Sequence, residues 1–550
     1  MFIPFLAVSF SLSLLFTQCS PSYEQVYYDA LLVHHEGGLL TGGGQFSWVG
    51  VNDGKIAGMG HYEKGTDHLP TAKQLIGLEG NVLYPGFIDA HGHIFGYARF
   101  INEVNLVGCA SIEDCRERIA AYIEQNPEAA KGGWITGRGW DQNLWDSKAF
   151  PTASDLADFG DLRIYLVRID GHAAWVSPSV LDQFGLSNDT RIAGGELKDG
   201  VLIDNAMSLV DVPEQHSTFW RKALLRAQDS LLAYGITAVT DAGLSTKQIL
   251  LLDSLQREGR FHLFVNAMIS NTEADLAYFE SRGPLVSDLL RVQSVKAYMD
   301  GALGSRGALL RAPYHDLPEH YGLPLMTPNE LDSLRDRCLK NGWQLCVHAI
   351  GDSAHHTVLQ SFNQLSREAD LRFRVEHAQI MTPEDSAFYA HPNIVASVQP
   401  THATSDMHWA PDRLGPHRTG HGYSYRRLLN AAGLLAFGTD FPIEHIDPLA
   451  TFQAAVFRQD DHGQPEGGFL PDQRLTAAEA LYAMTYGAAY AAFGEQDYGQ
   501  LTVGHAANFT VLDKLILGCS REVLNETKVK ATIIRGKQHF ENSSVKMDVN

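Results

Sequence analysis

The sequence predicts an α/β protein: a (β/α)8 barrel, a small β-sandwich built from both chain ends, and an insert between the first and second barrel strands. Three observations lead there. Eight apolar runs of strand length each end in polar residues, amphipathic helix patterns lie between several of them, and short β-like runs with Gly-rich turns recur near both termini.

The chain of 550 residues is 45% hydrophobic and 19% charged, enough to bury a large core with a smaller domain beside it. Its net charge of -21 is spread without a basic stripe, which excludes nucleic acid as a partner. Six widely spaced cysteines without a C-x-x-C pair argue against a zinc ribbon or a disulfide framework; most read as small buried hydrophobes. Residues 1–19 form a separate segment. Phe2 to Thr17 is nearly all apolar and serine and ends at Gln18-Cys19-Ser20, as in an export signal that stops at a lipidated cysteine. No Lys or Arg precedes that run, and Phe16 stands where bacterial lipoprotein signals more often have Leu. The expectation is an exported protein, periplasmic or anchored through lipid at Cys19. Its partners are a small-molecule substrate and the membrane at that anchor, and a homodimer stays open.

From Tyr27 to Leu83, the runs Ala30 to Val33, Phe46 to Val51 and Ile56 to Met59 read as strands, with Asn52-Asp53-Gly54-Lys55 as a hairpin turn. Ala507 to Leu512 and Val529 to Ile534 read likewise, with a turn at Arg535-Gly536-Lys537. Neither end can form a core alone, so residues 23–83 and 500–541 are expected to pair into one sandwich. The barrel, residues 84–499, takes its strands from Val82 to Asp89, Gly235 to Asp241, His262 to Ile269, Val292 to Asp300, Trp343 to His348, Phe373 to His377, Ile394 to Gln399 and Leu434 to Asp440. Helices are expected over Ser217 to Tyr234, Lys247 to Glu258, Pro328 to Asn341, His355 to Arg367 and Ala477 to Phe493. The gap between the first two strands far exceeds an ordinary connection, so an inserted subdomain spans about residues 100–232. It carries Gly133 to Asp141 and Ile164 to His172, which suit a ligand-facing wall; Trp134, Trp140 and Trp175 are expected to pack the insert's own core.

Reactive groups of such a barrel sit at the C-terminal ends of its strands. There the sequence puts His91 and His93, Lys296, His348, His377 and Asp440. His91 and His93 are two apart, so an extended chain turns both to one side. Imidazole and carboxylate together suit zinc and similar divalent ions. Lys296 is the odd member, because an ammonium would be repelled by bound cations. Burial would lower its pKa, and a neutral amine could take up carbon dioxide to become a carbamate able to bridge two metals. The alternative is a lysine paired with Asp300 or Asp440.

The sequence resembles the metal-dependent amidohydrolase superfamily, in its amidohydrolase-3 branch, which includes proteins similar to N-substituted formamide deformylase. The resemblance runs from about Tyr27 to Phe540. It is carried by Pro85 to His93, Asp170 to Trp175, Lys296 to Arg306, His348 to Asp352, Arg374 to Ala378 and Gly438 to Pro442. It implies His91, His93 and Asp440 on one metal, His348 and His377 on another, and carboxylated Lys296 between them. Every position of that ligand set is filled here.

The chemistry expected is hydrolysis of an amide, N-acyl or formamide-type C–N bond by a metal-activated hydroxide, with two divalent ions and zinc the expected metal. Asp440 would accept the proton and pass it to the leaving nitrogen. His172 is the candidate oxyanion donor, a satisfied core histidine being its alternative. Arg306 could bind a substrate carboxylate or instead join two loops. Asp170 and Gln399 complete the substrate-binding candidates. Asp300 and Glu376 sit beside ligands and could support them. His402, His408, His417 and His421 lack a tight ligand spacing and read as a loop over the mouth, not as ligands. Two rivals stand: a one-metal deaminase of heterocycles, for which only Asp352 could supply the acid after the fifth strand, and a solute-binding lipoprotein without activity.

Overall fold

The computed structural model describes residues 22–36, 39–41, 47–63, 68–127, 131, 133–169, 171, 173–192, 195–213 and 216–542. The Cys19 expectation lies outside them. Eight parallel strands form a nearly closed barrel: β1 (Phe87–Gly92), β2 (Ile236–Leu244), β3 (Phe264–Ser270), β4 (Leu290–Tyr298), β5 (Gln344–Ala349), β6 (Phe373–His377), β7 (Ile394–Val398) and β8 (Leu435–Phe437). Each pairs with the next in chain order. β7 and β8 are buried on both faces and read as largely apolar runs, whereas β6, equally buried, alternates Phe373 and Val375 with Arg374 and Glu376.

The ring closes beyond its strands. Asp440 N donates to His91 O at 2.7 Å and His93 N to Phe441 O at 2.8 Å, so the chain leaving β8 lies directly on the chain leaving β1. Gly438 makes this approach feasible, since a Cβ there would stand 2.4 Å from His91 N. Asp89 fixes the same seam by accepting from Thr439 Oγ1 at 2.7 Å and from His91 N at 3.0 Å.

The expected first strand, Val82 to Asp89, is two strands. Val82–Pro85 pairs with Leu31–Leu32 and Phe509–Leu512, and the barrel strand starts only at Phe87. Between them Gly86 N donates to Asn508 O at 2.9 Å, which hands the chain from one sheet to the other. The helix over Pro328–Asn341 has its expected bounds, set by a Thr327–Glu330 capping box and a left-handed stop at Gly342. The helix expected from His355 to Arg367 runs instead over Asp352–Phe362, with Gly351 as its N-cap. The helix expected over Ala477 to Phe493 is broken by a π-turn at Ala483–Gly487.

Strands from both chain ends form a five-stranded sheet: Leu31–Leu32, Val82–Pro85, Phe509–Leu512, Val529–Ile534 and Lys537–Glu541. A four-stranded sheet of Tyr23–Tyr28, Trp48–Asn52, Lys55–Gly60 and Ala72–Gly77 packs on it through Tyr27, Val49, Val51, Leu83, Phe509 and Ile533. The Asp53-Gly54 turn has positive φ at both residues, the backbone a two-residue hairpin needs. Between β1 and β2 lies a six-stranded sheet whose longer strands are Trp134–Trp140 and Arg163–Arg168. Trp140 and Trp175 are buried in its core, while Trp134 is only half-buried. The five described cysteines are free, four of them buried.

The seam yields a test. Gly438→Ala forces the β8 chain off His91 and is expected to cost about 1–3 kcal/mol of stability. The measurement is the apparent Tm, with an unchanged value arguing against the close contact.

Candidate metal centre

The centre is assembled by strand ends. His91 ends β1 fully buried, and His93 follows it, half-buried, at the start of the helix Ile94–Phe100. His377 ends β6 and Asp440 follows β8; their φ values of 70° and 61° lie in the left-handed region. A non-glycine residue pays about 1–3 kcal/mol for that backbone, and here it turns both side chains inward. Lys296 enters from β4 and His348 from β5.

Asp440 Oδ1 lies 3.1 Å from His93 Nε2 and 3.6 Å from His91 Nε2. His91, His93 and Asp440 offer donor atoms that all fall within 4.8 Å of one another, as do His377, His402 and Asp440. The rings of His91 and His377 are 4.8 Å apart, and those of His348 and His377 4.5 Å apart. Asp440 Oδ1 and His402 Nε2 are buried without an aligned hydrogen-bond partner. Buried polar atoms ordinarily find partners, and a cation is what this donor set would accept. The residues therefore fit a divalent metal.

Tautomers are set from behind. His91 Nδ1 meets Glu376 Oε2 at 2.5 Å and His377 Nδ1 meets Gln399 Oε1 at 2.8 Å, which leaves both Nε2 atoms toward the centre. Glu376 is in turn clamped by Arg374, whose Nε is 2.6 Å away, with all three side chains fully buried. Gln399, expected at the substrate, thus acts on His377. Asp300 accepts from the backbone N–H groups of Leu309, Ile350 and Gly351, so it organises the loops after β4 and β5. His348 lies beside them, its Nε2 3.6 Å from Asp300 Oδ1.

Burial lowers the His91 imidazole to about 4 and the His348 imidazole to about 3, with the nearby Lys296 adding to both effects. Burial also lowers the Lys296 ammonium, against the pull of Glu376 and Asp440. Its nearest polar partner is His91 Nε2 at 3.2 Å, and its amine lies 5.0 Å from the Tyr298 ring centroid. Among the described residues Lys296 forms no ion pair with Asp300 or Asp440. Burial would raise the Asp440 carboxyl, but His93, His91 and His377 hold it well below the ordinary carboxylate range.

Two expectations fare differently. Arg306 does not face the centre as a free cation: its guanidinium is held by Asp316 at 2.8 Å, which Arg413 also binds, so the arginine joins two loops. His172 and Asp170 lie outside the described residues. Asp241 went unnoticed in the sequence; it ends an apolar run like any strand terminus, yet its Oδ2 accepts from Ile94 N at 2.8 Å and so fixes the helix behind His93. Burial raises its carboxyl to about 6. His402 is the other addition, visible in sequence only as one of four loop histidines.

Beside His93 opens a cavity of about 790 Å³, walled by the helix Ile94–Phe100, the insert strands Trp134–Trp140 and Arg163–Arg168, and the segment after β8. Val107, Ile169 and Ile443 line it and are among the large apolar side chains left exposed.

Two measurements probe this arrangement. Glu376→Gln weakens the hold on His91 and is expected to lower metal affinity about 10–100-fold, read by chelator competition. Because burial keeps the His91, His348 and His377 imidazoles neutral, metal retention should stay level from pH 8 down to about 5. Proton competition then grows toward pH 4, not near the ordinary histidine value of about 6.5. Half-loss of metal near pH 6.5 would contradict it.

The chain matches the amidohydrolase family over residues 74–540. Protein LONG AFTER FAR-RED 3 of Arabidopsis thaliana is 32% identical, over 90% of this chain and 88% of that protein. N-substituted formamide deformylase of Arthrobacter pascens is 24% identical, over 90% of this chain and 94% of its own length. The crystal structure of an uncharacterized metal-dependent hydrolase from Pyrococcus horikoshii OT3 superposes with a TM-score of 0.76 at 27% identity, covering 90% of this chain and 98% of that one. With the matched region running from the end sheets through every barrel strand, the chain belongs to the amidohydrolase family.

Proposed function

We propose that the protein is a metal-dependent hydrolase of a C–N bond in a small amide, N-acyl or formamide-type compound. The observation that carries this reading is the convergence of His91, His93 and Asp440 donor atoms within 4.8 Å at the mouth of the barrel. His91, His93 and Asp440 would hold one divalent ion, His348 and His377 a second, with carboxylated Lys296 between them and zinc the metal that suits imidazole and carboxylate. Such ions, when bound, make a nucleophile from water near neutral pH and polarise a carbonyl.

The chain's own groups supply the rest. Asp440 is ionised across neutral pH, so it can accept a proton and return it to the leaving nitrogen. Glu376 and Gln399 keep His91 and His377 in one tautomer throughout. Burial shifts Lys296 toward the neutral amine, the form that takes up carbon dioxide. A scissile bond at His93 would leave one arm of the substrate in the adjoining cavity, among Phe95, Val107, Val167 and Ile443. The formamide deformylase relative supports the choice of bond. A one-metal deaminase is less well supported, since Asp352 Oδ1 is taken by Arg311 N at 2.9 Å. Export with lipid at Cys19 is proposed with it, and labelling of that cysteine by a radioactive fatty acid decides it.

The test is metal analysis joined to turnover on a panel of formamides and N-acyl compounds. Two metals per chain are expected, with Lys296→Ala and Asp440→Asn each slower by about 100-fold or more. A normal rate with one metal in Lys296→Ala would sink the binuclear reading, and tight binding without any turnover would favour a solute-binding protein. Within the panel, kcat/KM should rise about fourfold per added methylene, from about 0.8 kcal/mol for each one buried. Ile169→Glu should flatten that slope.

A further inference from the structure

The segment after β7 brings to the centre a histidine that spacing alone had set aside. His402 lies in the short helix Pro400–Asp406 and is 9% exposed. Its ring stacks on that of His377, with centroids 5.8 Å apart and planes 16° from parallel. Its Nε2 is buried without a hydrogen-bond partner, 3.7 Å from Asp440 Oδ2 and 4.0 Å from Glu444 Oε1.

A core histidine would be expected to satisfy that nitrogen, as His355 does with Tyr389 Oη at 2.6 Å and Ile380 O at 3.0 Å. A salt-bridged histidine would sit closer to its carboxylates than 3.7 Å. What the geometry does satisfy is a shared cation: His377, His402 and Asp440, all buried, present one donor atom each within 4.8 Å. Asp440 is placed between two such groups. Its Oδ1 faces His91 and His93, and its Oδ2 faces His402.

We propose that His402 is a metal ligand of this centre, binding a divalent cation together with His377 and Asp440, so that the two oxygens of Asp440 serve two metal positions. The inference rests on the reading of the site as a metal centre and adds a ligand to it from the loop after β7. It makes that loop part of the metal site and not a lid above it. The pairing of His402 with His377 also gives the second position an anchor independent of His348, whose Nε2 points toward Asp300.

The test strips the full-length protein with a chelator, reloads it with Co2+, and reads cobalt per chain, cobalt affinity and the visible d–d absorption. Wild type is expected to bind cobalt with a spectrum that changes in both His402→Ala and His402→Gln, each holding the ion in the second position at least about tenfold more weakly. His408→Ala, an exposed histidine of the same segment, serves as the control and should match wild type. Far-UV circular dichroism establishes that each variant is folded, and the volume-conserving His402→Gln decides if His402→Ala is not. Unchanged stoichiometry, affinity and spectrum in folded His402→Gln overturn the inference while leaving the metal centre standing. Wild-type protein that binds no cobalt overturns the metal reading and this ligand with it.

Discussion

The Arg374–Glu376–His91 chain is the interaction on which the rest of the site depends. All three side chains are fully buried, and they tie the barrel across its interior: Arg374 and Glu376 come from β6, His91 from β1, and Arg374 also donates to Ala90 O at 2.7 Å and Ser397 Oγ of β7 at 2.9 Å. A buried ion pair is weak as a source of stability, because two desolvated charges seldom recover their hydration energy. Its value here is directional. Glu376 takes two bonds from Arg374 and one from His91, so the imidazole can neither flip nor rotate without breaking a buried charge-assisted bond.

The same constraint explains which parts of the fold could be read from sequence. Barrel strands buried on both faces are mostly apolar, and β6, with Arg374 and Glu376 between its apolar residues, is an exception. The candidate ligands His91 and His93 were legible because the two-residue period of a strand makes them neighbours in space as well as in chain. Strand ends are harder to place where two sheets share one stretch: Val82 to Asp89 carries only Pro85-Gly86 as a break, and the bond from Gly86 N to Asn508 O, over 400 residues away, fixes the division there. The π-turn at Ala483–Gly487 is equally silent, since no local spacing separates a π-turn from an α-turn.

Residues that act through pairing partners were harder. Gln399 was legible as a strand end facing the site, but a glutamine at that place serves a substrate or a ligand equally well, and only its 2.8 Å contact with His377 decides. Arg306 is alike: a guanidinium in a turn near the mouth suits a carboxylate of either origin, and Asp316 takes it. His402 belongs to a run of spaced histidines with no ligand pattern, because its partners His377 and Asp440 arrive from other strands. Convergence of this kind is a property of the closed barrel and has no local signature.

Charge completes the argument for a cation. In the centre Arg374 is positive, Glu376 and Asp440 are negative, and the buried imidazoles are held neutral. Burial also disfavours the charge on Lys296. With Lys296 neutral, an uncompensated carboxylate is left in a buried site, a costly state that a protein escapes by protonation or by binding a cation. Protonation of Asp440 is opposed by the hydrogen bond it accepts from His93. A divalent ion removes the imbalance and gives His402 Nε2 the partner it lacks. It would also penalise any remaining charge on Lys296, driving that amine toward the neutral form from which a carbamate can be made. The ligand set and the lysine are thus two consequences of one electrostatic demand.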